Sequence, residues 1–341
     1  MPTTHSPLNR GARTAERDVS REALGARAPH EVAPDIAYLR TAIVNVYFVG
    51  APGAPDGEWV LVDAGMPGFA GRIARAAAAR FGESRPAAIV LTHGHFDHVG
   101  AVRELAERWD VPVYAHRLEL PYLTGRSAYP PPDPTVGGGA MARLSMLYPR
   151  GPIDLGRRVR PLPDDRAAIP GMPGWRWIHT PGHTPGHVSF VREADRALIA
   201  GDAFVTTKQE SAIAALTQRP EVHGPPAYYT PDWISARSSV EELAALEPTL
   251  AATGHGVPLR GDAMRRALHD LARDFGRLAV PRRGRYVRRR AIADERGVVV
   301  VPPPVADPLP KIVLGVAAVA LTGAAVAAWK RRETKQLTSN A

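Results

Sequence analysis

Between residues 31 and 280 the chain alternates short apolar runs with longer segments whose apolar positions recur every three or four residues. The short runs, rich in valine, isoleucine and leucine, predict β-strands, and the longer periodic segments predict amphipathic helices. In the first half the predicted strands cover residues 43–49, 59–62, 87–91 and 113–115, and the predicted helices cover 69–81 and 99–109.

The second half repeats this alternation after an irregular stretch, residues 124–157, that is rich in proline and glycine. Long irregular segments within a domain are commonly functional, so we expect this one to be a substrate lid. Two strand-and-helix halves within one domain predict a layered α/β architecture. The predicted strands of the second half are 175–178, 188–192, 197–200 and 249–252, and its helices are 232–246 and 262–278.

The two ends of the chain differ in composition from this central domain. Residues 1–30 are polar and rich in arginine, which predicts a disordered arm, and they contain no apolar run long enough for a signal peptide. Residues 281–301 predict a basic β-hairpin around a turn at 294–297. A proline-rich linker, residues 302–311, follows.

The next 18 residues, 312–329, contain no charged side chain and precede a basic tail, 330–341. At about 1.5 Å per residue a helix of this length is about 27 Å long, close to the roughly 30 Å of a bilayer core. Seven alanines and two glycines make the segment weakly hydrophobic, but the linker leaves it little to pack against. We therefore expect a membrane anchor, with the central domain in the cytoplasm because no export signal precedes it.

The net charge of +9 lies in two places, so the central domain is neutral as a whole. Six arginines between Arg282 and Arg290 carry +6, and the tail carries +3. Nucleic-acid-binding proteins usually spread basic residues over the main domain, so we do not expect nucleic acid as a partner. The arginine run itself fits either a solvated hairpin surface or a patch for phosphate or anionic lipid.

The chain has no cysteine, which excludes disulfide scaffolds, thiolate-bound zinc and thiol nucleophiles. Any metal must therefore bind through histidine, aspartate or glutamate. These residues are densest at 92–98, directly after a predicted strand, where His93, His95, Asp97 and His98 lie within six positions. Three imidazoles and a carboxylate so close together predict a site for a borderline metal such as Zn²⁺.

Three further segments each place one candidate ligand near the end of a predicted strand. They are Thr-Pro-Gly-His ending at His183, Ala-Gly-Asp ending at Asp202, and Thr-Gly-His ending at His255. Binding groups are commonly built at strand ends, so we expect these side chains to meet the 92–98 group. For His187, four residues after His183, we expect a structural hydrogen bond rather than a metal bond.

In their order and residue types, these motifs resemble those of the metallo-β-lactamase superfamily across about residues 40–260. The resemblance implies that residues 31–280 form a four-layer αββα sandwich with a site for two metal ions at one edge. The resemblance implies three ligands of the first ion, His93, His95 and His183, and three ligands of the second ion, Asp97, His98 and His255. It also implies that Asp202 bridges both ions and that Asp63 orients a ligand imidazole.

The resemblance also implies a reaction: a hydrolase with two zinc ions that acts on an ester, thioester or lactone of a small molecule through a metal-bridging hydroxide. Asp97 would orient that hydroxide or take its proton. Iron or manganese would also fit these ligands. Two alternatives stay open, a phosphodiesterase or nuclease of the same superfamily and an iron-dependent persulfide dioxygenase.

Three residues near the metal motifs are candidates for binding a small, anionic substrate. Lys208 is the only lysine before residue 311 and lies six residues after Asp202. Its ammonium can bind an anionic substrate group or pair with Glu210 at the surface. Tyr228 and Tyr229 lie between two motifs and can line the pocket or pack in the core.

Overall fold

The computed structural model describes residues 29–163 and 169–306 and contains two large β-sheets. The strands and helices of these residues belong to one compact unit that ends at Pro303. The first sheet has seven strands that are neighbours in chain order; the first four pair antiparallel and the rest pair parallel. These strands are β1 (His30–Ala33), β2 (Ile36–Thr41), β3 (Val44–Val49), β4 (Val60–Val62), β5 (Ala88–Val90), β6 (Val113–Ala115) and β7 (Val159–Pro161).

The second sheet has five strands in the order β12-β11-β10-β9-β8, and a separate hairpin of β13 and β14 follows it in the chain. Within the second sheet β10 and β11 are parallel, and the other neighbours are antiparallel. The strands are β8 (Trp175–His179), β9 (Val188–Arg192), β10 (Ala197–Gly201), β11 (Leu250–Thr253), β12 (Leu259–Arg260), β13 (Ile292–Asp294) and β14 (Gly297–Val300).

Helices cover the outer faces of both sheets. Local sequence explains where they begin: for the helix that starts at Trp233, the Asp232 carboxylate accepts hydrogen bonds from the backbone N–H groups of Ile234 and Ser235. The helices are α1 (Ala70–Phe81), α2 (Phe96–Val99), α3 (Val102–Trp109), α4 (Leu120–Leu123), α5 (Ala140–Leu144), α6 (Ala212–Thr217), α7 (Trp233–Ala245), α8 (Gly261–Arg273) and α9 (Phe275–Leu278).

Alternation of side chains along the strands produces three hydrophobic clusters and hence four layers. In β4, Leu61 faces α1 and α3, whereas Val60 and Val62 face the second sheet. In β10, Ile199 faces the first sheet and Leu198 faces α7 and α8. Both sheets are therefore buried on two sides, and the order of layers is helix, sheet, sheet, helix, as expected.

The differences from the predicted elements are local. The helix predicted over 262–278 is broken at Asp274 into α8 and α9. The hairpin predicted over 281–301 is shorter, because residues 285–291 belong to no strand. There the Tyr286 hydroxyl donates to the carbonyl of Pro131, 2.6 Å away, so the backbone follows the domain surface instead of pairing with β14.

Several predicted segments lie outside the described residues: the arm up to residue 28, the linker from residue 307, the predicted membrane segment 312–329 and the tail. Within the described part of the chain, no helix combines the length and the apolar character needed to cross a bilayer.

Candidate metal centre

The carboxyl ends of four strands meet at one edge of the sandwich. β4 and β5 are parallel neighbours in one sheet, and β10 and β11 are parallel neighbours in the other. Side chains that follow such strands lie at the same edge of a sheet. The structure brings the predicted ligands together there, and all of them are buried: His93, His95, Asp97, His98, His183, Asp202 and His255.

The first group consists of three histidines whose ring nitrogens face one another. Nε2 of His93 lies 3.0 Å from Nδ1 of His95, which in turn lies 2.9 Å from Nε2 of His183. Burial lowers the pKa of His93 and His95 well below its ordinary value, and that of His183 to about 3. The three rings are therefore neutral at neutral pH and present lone pairs, which is the form that binds a metal.

The second group joins Asp97, His98 and His255, whose candidate ligand atoms lie within 4.8 Å of one another. Nε2 of His255 is 3.5 Å from the nearer oxygen of Asp97. Burial alone would lower the pKa of His98 and of His255, but neighbouring carboxylates, Asp202 foremost, outweigh it and raise both. This half of the centre is thus rich in negative charge and favours a cation.

Asp202 lies between the two groups. Its Oδ2 atom is 3.4 Å from Nε2 of His183, 3.6 Å from Nε2 of His98 and 3.1 Å from Nε2 of His255. Its Oδ1 atom and Nε2 of His98 are buried and have no hydrogen-bond partner in the part of the chain that the structure describes. Buried polar atoms are rarely left without a partner. Together with a donor set of imidazoles and carboxylates, these atoms fit divalent metal ions on both sides of Asp202.

Asp63 stands behind the second group, where the resemblance places it. Its carboxylate accepts a hydrogen bond from Nδ1 of His98 at 2.8 Å and two more from the backbone N–H and hydroxyl of Thr92, each 2.8 Å. Because Nδ1 of His98 carries the proton, Nε2 is left to face Asp202. On the other side, Nδ1 of His255 donates to the carbonyl of Ile43 at 2.7 Å and is oriented in the same manner.

His187 is held by hydrogen bonds at both ring nitrogens. Nε2 accepts from the backbone N–H of Asp202 at 2.9 Å, and Nδ1 donates to the hydroxyl of Thr180 at 2.8 Å. Neither nitrogen is left for a metal ion. His187 thus makes the structural contact expected of it and fixes the backbone that carries Asp202.

Sequence reasoning missed Glu119 and Tyr129, which connect the ligand loops. The buried carboxylate of Glu119 accepts from the backbone N–H groups of Gly94 and Gly186, at 2.9 and 2.8 Å. The Tyr129 hydroxyl donates to the same carboxylate, and its ring lies 4.6 Å from that of His95. A lone glutamate 20 residues beyond the densest motif carries no sequence signal for this role.

Of the predicted substrate residues, Tyr229 lies beside the first group. The Tyr229 ring stacks on His95 at 4.3 Å, and its hydroxyl donates to the carbonyl of Pro149 at 3.1 Å. Tyr228 is buried, and its ring lies 5.3 Å from that of Tyr229. A narrow crevice next to His95 and His183 is lined by Tyr129, Tyr229 and Tyr286.

Lys208 is half-buried, and its side chain has no hydrogen bond or ion pair within the described ranges. It does not pair with Glu210, whose carboxylate accepts from the backbone N–H of Ala227 at 2.7 Å and lies 4.0 Å from His223. The ammonium is therefore available to a ligand, although the structure does not place it in the crevice.

Comparison with known proteins agrees with the fold and the motifs. The family model of the metallo-β-lactamase superfamily matches residues 39–255. The probable metallo-hydrolase YflN of Bacillus subtilis is 49% identical over 246 residues, 72% of this chain and 92% of that protein. A hydroxyacylglutathione hydrolase of Xylella fastidiosa is 36% identical over 152 residues, 44% of this chain and 43% of that protein.

A solved structure shows the same fold at lower identity. A β-lactamase domain protein from Burkholderia ambifaria is 21% identical, and the match covers 73% of this chain and 77% of that chain with a TM-score of 0.51. The family match covers more than half of the chain and includes the strand ends that carry the seven residues. The chain therefore belongs to the metallo-β-lactamase superfamily of metal-dependent hydrolases.

Proposed function

We propose that the protein is a dinuclear zinc hydrolase that cleaves an ester, thioester or lactone bond in a small molecule. The observation that carries this proposal is the position of Asp202, whose Oδ2 atom lies 3.1 to 3.6 Å from imidazole nitrogens of both ligand groups. A carboxylate placed in this way suits a bridge between two ions. The absence of cysteine leaves a ligand set of nitrogen and oxygen alone, which zinc, iron and manganese accept.

In this proposal each group holds one ion. The first ion would be held by His93, His95 and His183 and the second by Asp97, His98 and His255, and Asp202 is close enough to both groups to be a ligand of either ion. Two divalent ions held there would polarise a carbonyl oxygen and lower the pKa of a shared water toward neutrality.

The protein itself contributes orientation and proton transfer. Among the seven residues Asp97 is the most exposed to solvent, at 7%. We assign it the role of accepting the proton of the attacking water. Tyr229, held by its hydroxyl and stacked on His95, closes one side of the pocket and limits the access of bulk water.

The choice among acyl substrates rests on the relative named as a hydroxyacylglutathione hydrolase, which favours a thioester. The match covers 43% of that protein, so it supports the bond type and not the whole substrate. A small anionic thioester is the substrate we propose, with Lys208 as the candidate group that binds its negative charge.

Two measurements test the proposal. Elemental analysis of protein purified without added chelator should find two zinc ions per chain, and Asp202→Ala should reduce both metal content and kcat. Asp56→Asn, which changes an exposed aspartate that pairs with Arg85, serves as the control. A panel of chromogenic thioesters, lactones and phosphodiesters should show cleavage of the acyl compounds. A single ion per chain, iron in place of zinc, or a preference for phosphodiesters would refute the proposal.

We also propose that residues 312–329 anchor the enzyme to a membrane, with the catalytic domain on the cytoplasmic side. The support for the anchor is the uncharged length of the segment.

A further inference from the structure

Glu119 is completely buried, and no cationic side chain pairs with it among the described residues. It ends the short turn Arg117–Glu119 that follows β6. A buried carboxylate is costly unless hydrogen bonds replace the water that it has lost. The partners that compensate Glu119 therefore show what the residue does in this fold.

Four donors surround the carboxylate. Oε2 accepts from the backbone N–H of Gly94 at 2.9 Å and from the Tyr129 hydroxyl. Oε1 accepts from the Thr184 hydroxyl and from the backbone N–H of Gly186, both at 2.8 Å. Each oxygen is thus shared by one backbone donor and one side-chain donor, which fixes the carboxylate in position.

Three of these donors, Gly94, Thr184 and Gly186, belong to the two loops that carry the first ligand group. Gly94 separates His93 from His95, and Thr184 directly follows His183. His95 and His183 are 88 residues apart in the chain, and the loops that carry them follow strands of different sheets. Glu119 therefore connects the two parts of the first group through one rigid carboxylate.

The close approach of the backbone shows how tight this connection is. A Cβ atom added at Gly94 would lie 2.6 Å from the Tyr129 hydroxyl, and one added at Gly186 would lie 2.8 Å from Cγ of Glu119. Side chains at these positions have no room. Tyr129 extends the connection, because its ring contacts His95 and stacks on Tyr122 at 3.9 Å.

We propose that Glu119 is a positioning residue that sets the spacing of His93, His95 and His183 and thereby the affinity of the first metal site. The inference rests on the ligand set of the proposed function. The effect should be specific to the first site, because Gly94 lies between His93 and His95 and Thr184 follows His183, whereas no donor residue is adjacent in the chain to a residue of the second group.

The test is Glu119→Gln, which keeps the shape of the side chain. An amide has a single acceptor oxygen, so its NH₂ group must face two of the four donors. Residues behind metal ligands typically contribute a factor of about 10 to 100 to metal affinity. We expect the first-site affinity of Glu119→Gln to fall by that factor and the second-site affinity to stay unchanged. Competition with a chromophoric chelator measures both, and the absorption spectrum of the Co²⁺ form reports the changed first site.

Glu210→Gln is the matched control, because Glu210 is also a buried glutamate but its carboxylate bonds to Ala227 instead of a ligand loop. It should leave both affinities unchanged. If Glu119→Gln does not fold, Thr184→Val and Tyr129→Phe each remove one donor and should each weaken the first site by a smaller factor.

The outcomes separate the two proposals. Wild-type protein that binds one ion or none contradicts the proposed function. Wild-type protein that binds two ions, with unchanged first-site affinity and an unchanged Co²⁺ spectrum in Glu119→Gln, overturns the role of Glu119 alone. Equal weakening of both sites, with a lower melting temperature of the metal-free protein, also overturns it, because the residue would then support the fold and not one site.

Discussion

Replacing Asp63 by asparagine should weaken the second metal site while leaving the shape of the side chain intact. Asp63 has φ of 59°, a left-handed conformation that asparagine also adopts at little cost. In the wild type, one carboxylate accepts three hydrogen bonds of 2.8 Å, from Nδ1 of His98 and from the backbone N–H and hydroxyl of Thr92. An amide cannot accept all three.

Either orientation of the new amide has a cost. If its oxygen faces His98, its NH₂ group faces the N–H of Thr92, and two donors oppose each other. If its NH₂ group faces His98, Nδ1 must accept, and the imidazole proton moves to Nε2. That atom faces Asp202 at 3.6 Å and is the proposed ligand of the second ion. In this orientation the neutral ring can bind the metal through Nε2 only if its proton returns to Nδ1, where the NH₂ group opposes it.

The expected loss is about 10- to 100-fold in second-site affinity, or about 1.4 to 2.7 kcal/mol. Chelator competition measures the affinity, and kcat on the cleaved substrate should fall with the occupancy of the second site. Asp56→Asn is the control, because that carboxylate is exposed and pairs with Arg85. Unchanged affinity at both sites in Asp63→Asn would refute the reasoning about the His98 tautomer.

Three further predictions follow from other parts of the chain. Lys208→Ala should raise KM for an anionic substrate and leave kcat unchanged in steady-state kinetics, since a contact made equally in ground and transition states affects binding alone. Full-length protein should sediment with membranes, and a truncation that ends at Val301 should not. Burial lowers the pKa of His116 to about 3. As the pH falls from 7.5 to 5, this histidine therefore binds a proton in the unfolded chain but not in the folded chain. Stability should therefore fall by about 2 kcal/mol between pH 7.5 and pH 5, as measured by urea unfolding. His116→Gln should remove that part of the slope, and exposed His269→Gln should not.

The boundaries of the long helices were predicted closely, because the period of the apolar positions and the residues at the helix ends indicate the same boundaries. The helix predicted over 69–81 is α1 (Ala70–Phe81), and the one predicted over 232–246 is α7 (Trp233–Ala245), which begins after the capping residue Asp232. The six-residue strand β2, which is buried throughout, was not predicted. The short edge strands β1, β7 and β12 were not predicted either. They have two to four residues and are partly exposed, so they carry no clear period.

The same distinction applies to the metal centre. His93, His95, Asp97 and His98 are close in sequence, and each remaining ligand follows an apolar strand, so local pattern and strand direction were enough to bring them together. Glu119 follows β6 as well, but its role depends on donors in two loops that only the packed sheets bring near it. An isolated glutamate is mostly a surface residue, so nothing local distinguishes this one.

The two halves of the centre differ in charge, so metal binding at the two sites should depend differently on pH. In the first half, burial lowers the pKa of His93, His95 and His183, so these rings are already deprotonated at neutral pH. In the second half, carboxylates outweigh burial and raise the pKa of His98 and His255. A cation entering the second half must replace protons, whereas one entering the first half need not. Binding at the second site should therefore be the more sensitive to pH and weaken more as the pH falls.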